Sequence, residues 1–310
     1  MSRASGDIRS IGRDDLESIT SILKSSLPLD DDLTIELVQF RIFDDPNFDA
    51  DLSLAKIRDG RIASFVCATN PKISGESSDV AWIKVFATEE KYRKKGFESE
   101  LFNHLFGVLR SRGVSEVRFS DLGNWHFWPG VDLNYEDALD FLTEMGFKKD
   151  AEYVDYYYDV SRFSYPRRIS RLKEQLEKEG VKFSSLGKEE ERMKVLEWIE
   201  KDFSFFWRNE TEFALKNLEP SVFIAAEKTG EILGFATING VAPSRFGPMG
   251  VRTDQRKRGI GTVLLFDSFQ ALKDQKYTRA AVHWTHHLFF YTQVPGLSGV
   301  RDYWVMSRRL

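Results

Sequence analysis

Arg256-Lys257-Arg258-Gly259-Ile260-Gly261 is a basic turn with two glycines, set between a short strand-like run and a long amphipathic pattern. A turn of this kind at a helix start is suited to hold a pyrophosphate, which needs positive potential and several unobstructed backbone N–H groups. The open N–H groups of a helix start supply the donors, and the helix dipole favours the charge. Gly259 and Gly261 lack Cβ atoms, so the backbone can approach phosphates and adopt unusual dihedrals. Arg256, Lys257 and Arg258 add cations, and Thr262 can add a hydroxyl. The bland alternative is a solvated basic turn capping an ordinary helix. Other phosphate motifs fit less well. A dinucleotide fingerprint wants a third glycine where Leu264 stands, and the Gly-Lys-Ser/Thr of a Walker loop is absent.

The turn has a damaged echo upstream, Arg93-Lys94-Lys95-Gly96-Phe97-Glu98, and the echo extends to its surroundings. Leu52–Arg58 and Arg61–Ala68 flank Asp59-Gly60, a strong hairpin signal. Val222–Glu227 and Glu231–Ile238 flank Lys228-Thr229-Gly230 in the same way. Each hairpin precedes another apolar strand, the basic turn, and a helix with an apolar stripe: Leu101, Leu105 and Val108 in one half, Leu265, Phe269 and Leu272 in the other. Each half then offers a strand (Glu116–Ser120; Ala280–Trp284), a second helix and a closing aromatic strand, Asp155-Tyr156-Tyr157-Tyr158 or Asp302-Tyr303-Trp304-Val305. The matching order reads as a duplication. The first copy is longer between Gly96 and Phe141 than the second between Gly259 and Phe290, and the extra length falls around the aromatic loop Asn124–Gly130. Between the copies, Pro166 and Gly180 bracket a charged helix. The boundary is expected near Phe163, giving domains 1–162 and 163–310. With no low-complexity linker between them, they are expected to be docked rather than loosely tethered.

The chain has 310 residues, 42% of them hydrophobic and 30% charged, with a net charge of −4. This balance suits a globular protein and argues against a nucleic-acid surface built on overall charge. The single cysteine, Cys67, sits in an apolar run and reads as a buried small hydrophobe in a reducing compartment. Residues 1–7 carry no apolar signal region, and no run reaches the length of a membrane span. A cytoplasmic protein with no membrane partner is expected.

The pattern Arg/Gln-x-x-Gly-x-Gly/Ala after the strand Phe246–Val251, followed by Phe290-Tyr291, resembles the GNAT superfamily of acetyl-CoA-dependent N-acetyltransferases, here as a tandem pair. The resemblance is strong in the second half and looser in the first. It implies an α/β fold of two GNAT-like domains, each a mixed, largely antiparallel sheet flanked by helices. It further implies that Met249, Gly250 and Val251 lie along the pantetheine arm of acetyl-CoA, a backbone N–H of that strand facing the thioester oxygen. The run Arg256, Lys257, Arg258, Gly259, Ile260, Gly261 and Thr262 would hold the pyrophosphate. Gly247, Gly250 and Pro248 suit a bulged strand that splays from its neighbour. Tyr291 matches the family tyrosine that protonates the departing CoA thiolate; the plain alternative is a packing aromatic beside Phe289 and Phe290.

A general base is not evident. The strand Phe246–Val251 has no carboxylate; His283, His286 and His287 follow it, but a lone strand histidine is more often a core or surface residue than a base, and water could serve instead. The three histidines do not complete a metal-ligand set with nearby carboxylates or cysteines. In the first copy, Glu98 replaces the small residue where backbone and phosphate should meet, and Phe141-Leu142 stands where Phe290-Tyr291 stands. That copy is expected to be a scaffold, or to shape the substrate site through Trp125–Trp128. The segment Asp202–Glu210 either offers aromatic faces and carboxylates to a cationic amine or buries Phe203, Phe206 and Trp207 in the core. Asp30, Asp31 and Asp32 read as a solvated helix start. The expected activity is direct transfer of acetyl from acetyl-CoA to a small-molecule or peptide amine in the second domain, with no nucleic acid involved. The alternatives are a degenerate CoA-binding sensor or interaction module, and an aminoacyl-tRNA-dependent transferase.

Overall fold

The computed structural model describes residues 8–29, 33–71, 79–187, 189–217, 221–240 and 242–310; Asp30–Asp32 lie outside them. The chain packs as two compact units, one of Met1–Tyr153 with Asp302–Leu310, the other of Val154–Arg301. The position near Phe163 therefore falls inside the second unit, and the first unit includes the last residues of the chain.

The first unit contains β1 (Ile8–Ser10), α1 (Leu16–Ser26), α2 (Ile35–Val38) with a π-helical turn at Gln39–Phe43, β2 (Ser53–Arg58) and β3 (Arg61–Thr69). It continues through β4 (Val80–Thr88), α3 (Phe97–Ser111), β5 (Glu116–Phe119), β6 (Val131–Asp132), α4 (Glu136–Glu144) and the start of β7 (Lys148–Asp159). The β2–β3 turn has both Asp59 (φ 52) and Gly60 (φ 75) in the left-handed region, the mirror-image turn that matches strand twist. β1 to β4 pair antiparallel in sequence order, β4 and β5 pair parallel, and residues 306–309 close on β5 antiparallel.

The second unit holds the rest of β7, then α5 (Arg167–Lys178), β8 (Val181–Ser185), α6 (Glu189–Asp202), α7 (Phe205–Asn217), β9 (Val222–Glu227) and β10 (Ile232–Ile238). After these come β11 (Arg245–Val251), α8 (Ile260–Asp274), β12 (Arg279–Thr285) and the start of β13 (Leu297–Arg309). Its sheet runs β8-β9-β10-β11-β12-β7, antiparallel except for the β11–β12 pair. Each unit is thus a mixed, largely antiparallel sheet with one parallel junction near its middle.

Helices cover both faces of each sheet. In the first unit α3 buries Leu101, Phe102, Leu105 and Phe106 on one face, and α1 buries Ile19, Ile22 and Leu23 with Phe65 and Cys67 on the other. In the second unit α8 packs Val263, Leu264, Phe266 and Phe269 on one face, while Leu196, Ile199 and Leu215 of α6 and α7 meet Phe235 on the other. The helix expected between β12 and β13 is a single 3-10 turn, Tyr291–Gln293. Pro295 explains the stop: a residue before proline is pushed to extended backbone, and Val294 has φ −78 and ψ 127. No helix among the described residues is long and apolar enough to cross a membrane.

Candidate active site

Both basic turns keep the same backbone shape. Lys257 (φ 64) and Gly259 (φ 94) lead into α8, and Lys94 (φ 57) and Gly96 (φ 84) lead into α3. In α8 the first helical bond runs from Val263 N–H to Gly259 O, 3.1 Å, so the N–H groups of Ile260, Gly261 and Thr262 remain available at the helix start. The missing side chain of Gly261 faces Val251, Met249 and Phe290, at 3.4, 3.8 and 3.8 Å from an ideal Cβ. Helix start, strand and aromatic pair therefore border one space. The cations are exposed and partly tethered: Arg256 Nε donates to Val251 O at 3.1 Å, and Arg258 pairs with Glu179 at 3.0 Å.

The parallel junction of the second unit opens there. β11 and β12 pair only at Arg245↔Ala281 and Phe246↔Val282, although β11 stays on β10 as far as Val251↔Gly234. Gly247, with φ 116, takes a backbone conformation closed to other residues, and Pro248 has no N–H to donate. The β12-facing edge of Met249–Val251 is consequently left out of the ladder. Phe203 of the α6–α7 turn lies directly over Gly250.

Tyr291 is 7% exposed, with its ring 6.0 Å from that of Tyr156, 6.1 Å from Phe246 and 5.1 Å from Phe290. The Tyr158 hydroxyl donates to Tyr291 O at 2.8 Å and anchors the turn. Burial pushes the Tyr291 phenol up to about 12; a Thr285 hydrogen bond opposes the shift and Tyr156 adds to it. The phenol is protonated at neutral pH, as a proton donor must be. His287 is shifted down by its burial, then by His286 and Arg256.

Within the segment Asp202–Glu210, Phe203 and Trp207 pack partly buried against the core, while Asp202 and Phe205 are exposed. Phe203 stacks on Trp207 (5.2 Å, 21°), and both rings meet Phe235. Glu210 lies 3.7 Å from Arg245, both nearly buried.

The first unit blocks its own junction. Phe86, the counterpart of Met249, packs at 5.2 Å on Phe102, 5.8 Å on Phe119 and 5.4 Å on Phe141. Leu142, the counterpart of Tyr291, is fully buried. Lys84 is buried against Asp45 at 2.6 Å, and burial pushes its amine down while Asp45 partly restores it. Phe127 and Trp128 of the aromatic loop stack on each other at 5.3 Å and pack, partly buried, on the α1-side core.

One contact was invisible in the sequence. His283 Nδ1 lies 2.7 Å from Asp155 Oδ2, and Asp155 Oδ1 accepts the Trp284 N–H at 2.8 Å. The residues are far apart along the chain, no local motif links them, and the repeat places them in different halves, Asp155 on the closing strand of the first and His283 on a strand of the second.

A model of the acetyltransferase (GNAT) family matches residues 16–147 and 192–289, the second match stopping short of Tyr291. No curated protein matches the chain. Among solved structures, a fungal multi-domain GH3 β-N-acetylglucosaminidase, described as containing a GCN5-related glucosamine N-acetyltransferase region, matches 99% of this chain with TM-score 0.83 and 17% identity. The chain spans only 38% of that protein's length. A GCN5-related N-acetyltransferase from Sphaerobacter thermophilus matches with TM-score 0.72 and 14% identity, over 100% of this chain and 97% of its own. A tandem GNAT protein from the clavulanic acid biosynthesis pathway matches with TM-score 0.63 and 12% identity, over 98% of each chain. At these identities the likeness is one of fold.

Proposed function

Because the chain belongs to the GNAT acetyltransferase family, we propose that its second unit moves the acetyl group of acetyl-CoA directly to an amine. The observation that carries this reading is the open β12-facing edge of Met249–Val251, bordered by Gly261 at the start of α8 and by Phe290. Lys257, Arg256 and Arg258 hold the diphosphate with the N–H groups of Ile260, Gly261 and Thr262. A cosubstrate phosphate competes with Glu179 for Arg258. An N–H of the open strand edge stabilises the oxygen of the thioester as the amine attacks its carbonyl carbon. The carbon–sulfur bond then breaks, its electron pair leaves on sulfur, Tyr291 supplies the proton to the thiolate, and the extra proton of the new amide nitrogen passes to solvent, from which the phenolate is restored. No covalent enzyme intermediate is needed.

The first unit acts as scaffold in this reading, its junction filled by Phe86 and its tyrosine replaced by Leu142. The acceptor is a small-molecule or peptide amine, with neither nucleic acid nor membrane as partner, and the setting is cytoplasmic. D-glucosamine is the first acceptor to test, since one structural neighbour is described as acting on glucosamine.

The test is calorimetric titration of acetyl-CoA into the whole chain and into Gly261→Glu, with amine-dependent thiol release measured in parallel. One equivalent bound, lost in the variant, is expected. Two equivalents would refute the account of the first unit, and no binding would refute the transferase reading.

A further inference from the structure

The general base that amine acetylation calls for is absent from β11, and the second unit holds an unassigned group at the neighbouring strand. His283 is the first residue of β12 beyond the last paired position, Val282↔Phe246, so it stands where the two central strands diverge. Its side chain is 25% exposed, while Asp155 is completely buried. A proton on Nδ1, donated to the Asp155 carboxyl oxygen, satisfies the 2.7 Å contact. Nε2 then carries the lone pair, and it has no partner among the described residues.

The local backbone is shaped around this pair. The β7–β12 register shifts between Val282 and Thr285, and Trp284 sits at φ 55, an outlier for a bulky aromatic residue. Such a bulge re-aims a side chain and is frequent beside active sites, and strain of this kind persists only where the surroundings enforce it. Here Asp155 enforces it, taking the bulged Trp284 N–H on Oδ1 and the imidazole on Oδ2. The two neighbours of Asp155, Val154 and Tyr156, both belong to the α8-side core. Strand alternation therefore puts Asp155, and the imidazole it holds, on the opposite face of the sheet. The ring of Tyr157 closes edge-on against His283 at 5.8 Å and 88°.

We propose that His283 is the general base of the second unit's transfer site and that Asp155 is its positioning residue. The proposal rests on the transferase reading above. His283 Nε2 takes one proton from the acceptor ammonium. The freed nitrogen lone pair forms the carbon–nitrogen bond to the acetyl carbonyl, the carbon–sulfur bond breaks, and the thiolate is protonated from Tyr291. The new amide nitrogen gives up its second proton to solvent, the Tyr291 phenolate takes one back from solvent, and the imidazolium loses its proton to water, so one proton is released for each amide and thiol formed. Base and acid lie on opposite faces of the sheet at one junction, because Tyr291 belongs to the α8-side core.

The test compares the whole chain with His283→Gln and Asp155→Asn, using acetyl-CoA with D-glucosamine, spermidine and an N-terminally free peptide as acceptor probes. His283→Gln is expected to lower kcat by about 10²–10⁴-fold and to leave the KM for acetyl-CoA within about twofold. Asp155→Asn can keep the Trp284 bond but presents an N–H to Nδ1, so it is expected to lower kcat likewise. Nitrogen NMR on histidine-labelled protein should show Nδ1 protonated in the native chain and the proton moved to Nε2 in Asp155→Asn. A His283→Gln enzyme within threefold of the native kcat would overturn the assignment, as would an Nε2-protonated His283 in the native chain, a readout that survives if either variant fails to fold. A native chain that neither binds acetyl-CoA nor releases thiol would overturn the transferase reading and this proposal together, and that failure shows before any variant is made.

Discussion

The ring of Phe203 occupies the space that a side chain at Gly250 would need: an ideal Cβ there would lie 2.5 Å from ring carbons Cε1 and Cζ. Phe203 is itself wedged between Trp198, Trp207 and Phe235, so it has little freedom to yield. Gly250→Ala is expected to destabilise the second unit by about 1–3 kcal/mol through overpacking and to displace either the ring or β11. Urea unfolding, paired with acetyl-CoA titration of the still-folded protein, measures both effects. An unchanged midpoint with unchanged affinity would mean the ring moves freely.

Tyr291→Phe is expected to lower kcat by about 10²–10⁴-fold with the fold retained. Its titration also has a definite sign. The folded phenol is raised from 10.0 to about 12, so the folded state keeps a proton that the unfolded state loses first. The resulting stabilisation is fully present below pH 10.0 and disappears as pH climbs towards about 12. Over that window the native chain should lose more stability than Tyr291→Phe in paired thermal unfolding scans. Tyr158 and Tyr165 are raised as well, which is why the difference between the two proteins is the quantity to read. A falling limb of the pH–rate profile below pH 10 would belong to another group.

Asp45 is the partner of a buried amine and cannot be lost cheaply. Its Oδ2 meets Lys84 at 2.6 Å, and its Oδ1 takes both the backbone and side-chain N–H of Asn47 at 2.8 Å. Asp45→Asn leaves the Lys84 charge buried without its counter-ion, at an expected cost of about 3–5 kcal/mol. Adding Lys84→Met should recover a large part of that, because two apolar or neutral groups replace a broken pair. Denaturant unfolding of the single and double variants gives the coupling directly; a double variant no better than Asp45→Asn alone would show that the pair is not what holds the first-unit core.

Cys67 is fully buried, and burial pushes its thiol up to about 11. It should remain silent to Ellman's reagent at pH 8 in the folded chain and react stoichiometrically only in denaturant, since the thiolate is the reactive form. A prompt equivalent of reaction in native buffer would mean that the α1-side core of the first unit opens readily.

Some of this molecule is legible because it is local. The left-handed turn at Asp59-Gly60, the glycine before each helix and the order of strands as far as β5 and β12 follow from residues a few positions apart. The closing strands do not: residues 154–159 pair with β12 of the second unit and residues 306–309 with β5 of the first. The helix expected after β12 failed for a reason the sequence also contained, since Pro295 ends it at one turn. The segment around Phe203 and Trp207 had two equal readings, and only its packing on Phe235 selected the core.

By itself the sequence determined the two GNAT-like copies, the turn at Arg256–Gly261 and the divergence between them at Glu98 and Leu142, because turn conformation and helix initiation depend on short-range sterics and hydrogen bonding. Tertiary structure alone decided the rest. It brought Phe86 against Phe102, Phe119 and Phe141 to fill the first junction, set Phe203 over Gly250, and joined Asp155 to His283 across two strands distant in sequence. Those contacts arise from strand register and close packing between remote segments, for which one chain's residue pattern carries no distance.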